Sequence, residues 1–216
     1  FNYLSKNFNL FQFKNYAYGL SYQENSDYNI AKLRDLNQDE ERLKLSNHNT
    51  IQILENWKSK NHNPNKKPKM FFVNTSGGGL RSALWTVHVL SHLDSITNNS
   101  FLNHTHLITG ASGGMLGAGF YREHFLENLD SASLISNNEL KERISSDLLN
   151  PLAFSIATTD MFYRFKKFDD GNYQYTKDRG WFFEKMLVKN LGLFKNKRLK
   201  DYISCLLYTS PSPRDR

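Results

Sequence analysis

The chain has 216 residues, 39% of them hydrophobic and 14% aromatic, which suits one substantial core and excludes a disordered polyelectrolyte. Its 28 Lys+Arg against 21 Asp+Glu leave a net charge of +7, a balance that favours anionic partners such as lipid headgroups or nucleic acid. No common nucleic-acid-binding signature accompanies that charge, the single cysteine excludes an intrachain disulfide or a multi-cysteine metal site, and no run of about 18 apolar residues spans a membrane as a helix.

Residues 1–28 are aromatic and Asn-rich without clean periodicity, an extension that packs on a larger body or docks elsewhere. From 29 to 58, Ile30, Leu33 and Leu36, then Ile51, Leu54 and Trp57, recur at helical spacing. The stretch 58–69 is basic and carries Pro64 and Pro68, a surface loop that closes an N-terminal segment 1–69.

Met70-Phe71-Phe72-Val73-Asn74 is a short apolar run bounded by turn residues, hence a buried strand. Ser76-Gly77-Gly78-Gly79 makes a glycine-rich turn, after which Leu80, Leu84, Val87, Leu90 and Leu93 define one face of a helix ending near 97–99. Residues 104–109 form a second strand centred on Leu107 and Ile108. Gly110-Ala111-Ser112-Gly113-Gly114 follows, then a helix over 115–126 whose Gly117, Ala118 and Gly119 permit close packing. Strand, glycine turn, helix, repeated, is the grammar of an α/β fold with a parallel sheet. Both glycine turns then lie at the carboxyl ends of strands, where such sheets bind ligands.

Further on, 134–149 is helical, with Asn150-Pro151 breaking it. Residues 152–168 are mixed, and 181–193 form another helix. Residues 205–216 change character abruptly and look like translated library-adapter sequence, a non-native tail. On that reading the natural chain continues past Ser204, just as its start at Phe1 points to a missing beginning.

The chemistry centres on Ser112. G-x-S-x-G holds a serine on a sharp strand-to-helix turn, with the first amides of the following helix free to stabilise an oxyanion. A serine hydroxyl needs a base to take its proton. His124 is the one histidine after Ser112 and lies twelve residues along the same helix, about 18 Å away by helical rise. His48, His62, His88, His92, His104 and His106 are no better placed, so a carboxylate paired directly with the serine is the better base.

Ser76-Gly77-Gly78-Gly79-Leu80-Arg81 followed by Gly110-Ala111-Ser112-Gly113-Gly114, with 35 residues from Gly77 to Ser112, resembles the patatin-like phospholipase family over roughly 70–125. Ser76 stands where many members carry Asp. The resemblance implies a three-layer α/β fold with a mainly parallel central sheet, present here as a partial catalytic domain over 70–204. It implies a lipid acyl hydrolase working through an acyl-serine intermediate and a Ser-Asp dyad, without cofactor or metal. Ser112 is then the nucleophile, and the backbone of Gly77, Gly78, Gly79 and Gly113 forms the oxyanion hole. Arg81 fixes the loop or attracts an anionic headgroup. The partners implied are a phospholipid substrate and an anionic membrane surface, with a cytoplasmic or peripheral-membrane location. The family's aspartate sits in a downstream Asp-Gly turn. Asp170-Gly171 is the nearest local match and Asp178-Arg179-Gly180 a poorer one, so the expected aspartate lies beyond Ser204.

Two other readings use the same residues. Thr109 to Gly114 resembles the dinucleotide loop of short-chain dehydrogenases, with Tyr163 and Lys167 as a Y-x-x-x-K pair, but Leu116 stands where that loop needs glycine. A non-catalytic lipid-binding fragment is the other. His88 and His92 are spaced i, i+4, yet Val89 breaks the H-E-x-x-H zinc pattern.

Overall fold

A computed structural model describes residues 29–130, 135–160, 167–171, 173–194, 197 and 201. The extension 1–28, the tail 205–216 and Tyr163 lie outside the described residues. Among the described residues the chain divides into two compact units, one holding 30–147 with 187–194 and the other built on 148–186.

In the first unit the helical stretch that the periodicity predicts is two helices, α1 (Ile30–Gln38) and α2 (Glu40–Lys60). Asp39 separates them because its carboxylate caps α2, accepting from the Arg42 amide at 3.0 Å. Glu40 and Glu41 open α2 and Lys58 and Lys60 close it, so its charges oppose the helix dipole at both ends. Trp57 is its one buried residue, while Leu43, Leu45, Ile51 and Leu54 are exposed.

Strand β1 (Phe71–Thr75) leads into α3 (Gly79–Ile96), then a short helical turn α4 (Phe101–His104), β2 (Thr105–Gly110), α5 (Ser112–Asp130) and α6 (Asn137–Ser145). The expected helix after the elbow therefore starts at Ser112 itself. The expected strand from 104 gives His104 to the turn α4. β1 and β2 pair in parallel, with Thr75 level with Gly110. The expected α/β architecture is present at that level, as a two-stranded parallel sheet flanked by helices.

The core lies where α3, α5 and α6 meet. Ala83, Val87 and Leu90 of α3 pack with Ala118, Phe120 and Tyr121 of α5 and with Leu140 and Ile144 of α6. Phe71, Val73 and Ile108 bring one face of the sheet onto this cluster, while Phe72 on the opposite face is exposed. The buried Asp94 carboxylate near the end of α3 accepts from the Leu102 amide at 3.2 Å and the Tyr121 hydroxyl at 3.0 Å. It thereby ties α3 to α4 and α5, and two bonds offset the cost of burying it. Burial and the Asp94 charge together raise Tyr121 above the ordinary phenol range, so it stays a donor. Ser136 caps α6 by accepting from the Glu139 amide. Arg143 joins Glu139 to the Leu191 carbonyl, holding the helix end at 191 onto α6.

In the second unit, Leu149–Ser155 forms α7, continued by a π-helical turn Ile156–Asp160. Pro151 does not break a helix, as the sequence suggests. The predicted helix 134–149 instead ends at Ser145, and Pro151 occupies the first turn of α7, where a helix does not need its missing N–H. Lys167–Asp170 (β3) and Tyr173–Thr176 (β4) form an antiparallel hairpin. Helix α8 (Arg179–Leu191) begins in this unit, and the Asp178 carboxylate caps it by accepting from the Trp181 amide at 3.1 Å. Phe168, Tyr175 and Trp181 stack here, with Lys177 over the Trp181 ring at 4.7 Å.

Two glycines of α5 should respond oppositely to alanine. A Cβ at Gly117 would collide with the Ala83 carbonyl of α3, whereas one at Gly119 would meet nothing within 4 Å. Gly117→Ala should lower stability by about 2 kcal/mol or more through overpacking, and Gly119→Ala should raise it by roughly 0.5–1 kcal/mol through helix propensity. Urea titration of both variants checks this. Burial lowers the His124 pKa; Arg143 adds to the effect and Glu127 and Glu139 oppose it. A depressed histidine is charged more easily in the unfolded chain, so its stabilising effect is full above about pH 6.5 and lost as pH falls. The melting temperature should therefore drop between pH 7.5 and 5.5, and His124→Gln should flatten that dependence in thermal melts at the two pH values.

Candidate functional site at the Ser112 elbow

Ser112 is the first residue of α5 and follows β2 through Ala111 alone. Its backbone has φ 49°, the left-handed region that L-residues with a Cβ avoid, at a cost of about 1–3 kcal/mol. The turn is held from both sides. The Ala111 amide donates to the Thr75 carbonyl at 3.2 Å and the Met115 amide donates back to Ala111 at 3.4 Å. The side chain that results is exposed and stands at the carboxyl end of the parallel pair.

The upstream glycine turn lies against it. A Cβ built on Gly77 would sit 3.3 Å from the Ser112 Cβ, so the two motifs, 35 residues apart in the chain, meet. Gly78 and Gly79 have φ of 150° and 63°, and all three glycines are exposed. On the other side of the contact, a Cβ on Gly113 would strike the Gly79 carbonyl and one on Gly114 would strike the Ser76 carbonyl. The bare backbone of each turn is what admits the other. Gly113 lies in the first turn of α5, where amides lack intrahelical acceptors and the helix dipole is positive. A hydroxyl beside such amides can attack a carbonyl and leave the resulting oxyanion facing donors.

Two supports of this geometry have no counterpart in the motifs themselves. Ser82, in the first turns of α3, donates its hydroxyl to the Ser76 carbonyl at 2.5 Å, closing the glycine turn onto the helix that follows. Thr75 donates to the Thr109 carbonyl at 3.3 Å, stitching together the strand ends that carry both turns. Their only sequence signal is a hydroxyl residue bordering a glycine turn. Arg81 is exposed in the first turn of α3, next to the loop as expected.

The candidate bases are distributed differently. His124 is buried within α5, on the same helix as Ser112 and about 18 Å further along it. His88 and His92 are exposed on α3, at least about 13 Å along its axis from Gly79. His106 precedes Ser112 by six largely extended residues, and burial lowers its pKa. Asp170 ends β3 in the second unit, paired in register with Tyr173 across a tight turn through Gly171. Asp178 is occupied in capping α8. Of the dehydrogenase pair, Lys167 opens β3 in the second unit. Among the described residues no group of three or more His, Cys, Asp or Glu is placed to hold a metal ion, and no helix is long and apolar enough to cross a membrane. A polar hollow of about 300 Å³ lies at the far end of α3, lined by Ser91, Ser95, Asn98, Asn99, Tyr121 and Asn137, and does not include the elbow.

Replacing Ser112 by glycine relieves the left-handed strain while Ser112→Ala keeps it. Ser112→Gly should therefore stabilise the protein by about 1 kcal/mol in urea unfolding, and Ser112→Ala should not. Compared with protein-family models, with curated proteins and with solved structures, the chain matches none.

Proposed function

We propose that this chain carries the nucleophile and oxyanion loop of a lipid acyl hydrolase resembling the patatin-like phospholipases, with their three-layer α/β architecture. The observation that carries the reading is Ser112 itself: a non-glycine residue held at φ 49° at a strand-to-helix turn, with the Gly77 backbone packed against its Cβ. Left-handed strain at an exposed serine is costly without a use, and strain of this kind gathers at reacting residues.

In the proposed reaction a carboxylate takes the Ser112 hydroxyl proton as Oγ attacks the ester carbonyl. Amides of Gly77–Gly79 and Gly113 hold the oxyanion of the tetrahedral intermediate. Collapse expels the alcohol, which leaves with that proton, and gives an acyl-serine. Water, deprotonated by the same carboxylate, then releases the fatty acid and restores the serine. The dyad aspartate of this reading is the one expected beyond Ser204. The net charge of +7 favours phospholipids among ester substrates.

A fluorophosphonate probe tests this, because it reports an activated serine without a lipid substrate. Labelling mapped to Ser112 by peptide mass spectrometry and absent from Ser112→Ala is the expected result. Folded protein that contains the downstream aspartate and stays unlabelled would overturn it. Gly113→Ala, whose Cβ displaces the Gly79 carbonyl, should slow labelling by about 10²-fold or more, the scale of a lost oxyanion donor.

A further inference from the structure

The turn between β1 and α3 has few anchors of its own. Gly77, Gly78 and Gly79 carry no side chains, and Ser76 and all three glycines are exposed. Among the described residues, one side chain hydrogen-bonds to the segment Ser76–Gly78: the Ser82 hydroxyl, donating to the Ser76 carbonyl at 2.5 Å.

Ser82 also fills the place where three elements cross. A Cβ built on Gly78 would lie 3.1 Å from the Ser82 Cβ, and one on Gly114 would lie 3.1 Å from its Oγ while striking the Ser76 carbonyl. The hydroxyl is therefore lodged where the glycine turn, α3 and the first turn of α5 converge.

Peptide geometry carries the consequence across to Ser112. The peptides of the described residues are trans, and in a planar trans peptide the C=O and the following N–H point in opposite directions. Fixing the Ser76 carbonyl toward the Ser82 hydroxyl thus fixes the Gly77 amide in the opposite sense. The Gly77 backbone is the part of the turn that meets the nucleophile, since a Cβ on it would sit 3.3 Å from the Ser112 Cβ.

We propose that Ser82 is a positioning residue for oxyanion stabilisation: its hydroxyl pins the Ser76–Gly77 peptide and so keeps the Gly77 amide available to the oxyanion formed at Ser112. This role rests on the acyl-hydrolase reading above. Without the bond the peptide can turn over at little cost, because the residue after it is glycine and tolerates either sign of φ. A turned peptide sets a carbonyl dipole where a donor stood. A donor that must reorient during the reaction also loses the advantage of being preorganised. Ser82 acts through the Gly77 amide rather than on the ester.

Fluorophosphonate kinetics on protein that carries the downstream aspartate test the role. Labelling followed against probe concentration separates the maximal rate constant from the concentration at half-saturation. Ser82→Ala should lower the rate constant about tenfold or more, a partial loss on the scale of one oxyanion donor, and change the half-saturation concentration by less than about twofold. Its melting temperature should fall by no more than about 4 °C, since the bond lies in an exposed turn. The midpoint pH of labelling should match the wild type, because the base is untouched. Ser82→Thr keeps the hydroxyl and should recover most of the rate. Ser82→Ala labelled as fast as the wild type would overturn the proposal and leave the hydrolase reading standing. A slow rate that arises only from weakened probe binding, or that accompanies a larger drop in melting temperature, would also overturn it, as the sign of local collapse. Folded wild-type protein whose Ser112 stays unlabelled would remove the hydrolase reading, and the role of Ser82 with it.

Discussion

Two stretches of glycine-rich backbone meet with no glycine Cβ between them. The turn at Gly77–Gly79 and the first turns of α5 touch carbonyl against Cα, at Gly79 with Gly113 and at Ser76 with Gly114. The same contact continues one turn deeper, where Gly117 meets the Ala83 carbonyl. Helices α3 and α5 can pack this closely only because these positions lack a Cβ, and the core of Val87, Leu90, Phe120 and Tyr121 is built on the spacing that results. The strand ends are level because the parallel pair sets Thr75 beside Gly110. Sheet register and glycine packing thus cooperate to bring two distant turns to one place.

The strain at Ser112 belongs to the same constraint. A serine at φ 49° persists when its surroundings leave it no relaxed alternative. Here β2 fixes the residues before it, the Ala111–Thr75 bond fixes the turn, and the Gly77 backbone lies beside the serine. The local cost is offset by the packing of α3 on α5, a stabilisation spread over many side chains. A serine so held is exposed and next to helix N-terminal amides, the feature on which the proposed attack on an ester rests.

Polar groups in the interior follow a complementary logic. Asp94 is buried with two donors aimed at it. Glu123, almost fully buried, bonds to Lys197. Each ties together elements that apolar contact alone would leave free to slide. Arg81, Trp85, His88 and His92 of α3 are by contrast exposed.

The sequence by itself determined the elements whose signals are local. The apolar runs gave strands within a residue or two, the 3.6-residue spacing gave α3 and most of α5, and the two glycine motifs marked the elbow and its companion turn. It misjudged Pro151, since a proline signals a break or a first turn equally well and only the neighbouring helix end decides which. It also ran α1 and α2 together, because the capping choice of Asp39 is invisible to periodicity. Tertiary structure alone decided that Gly77 lies against Ser112, that Ser82 and Thr75 brace the turns, and that Asp178 caps α8. These depend on strand register and helix packing between residues far apart in the chain, and hydrophobic periodicity carries no information about which distant backbones will touch.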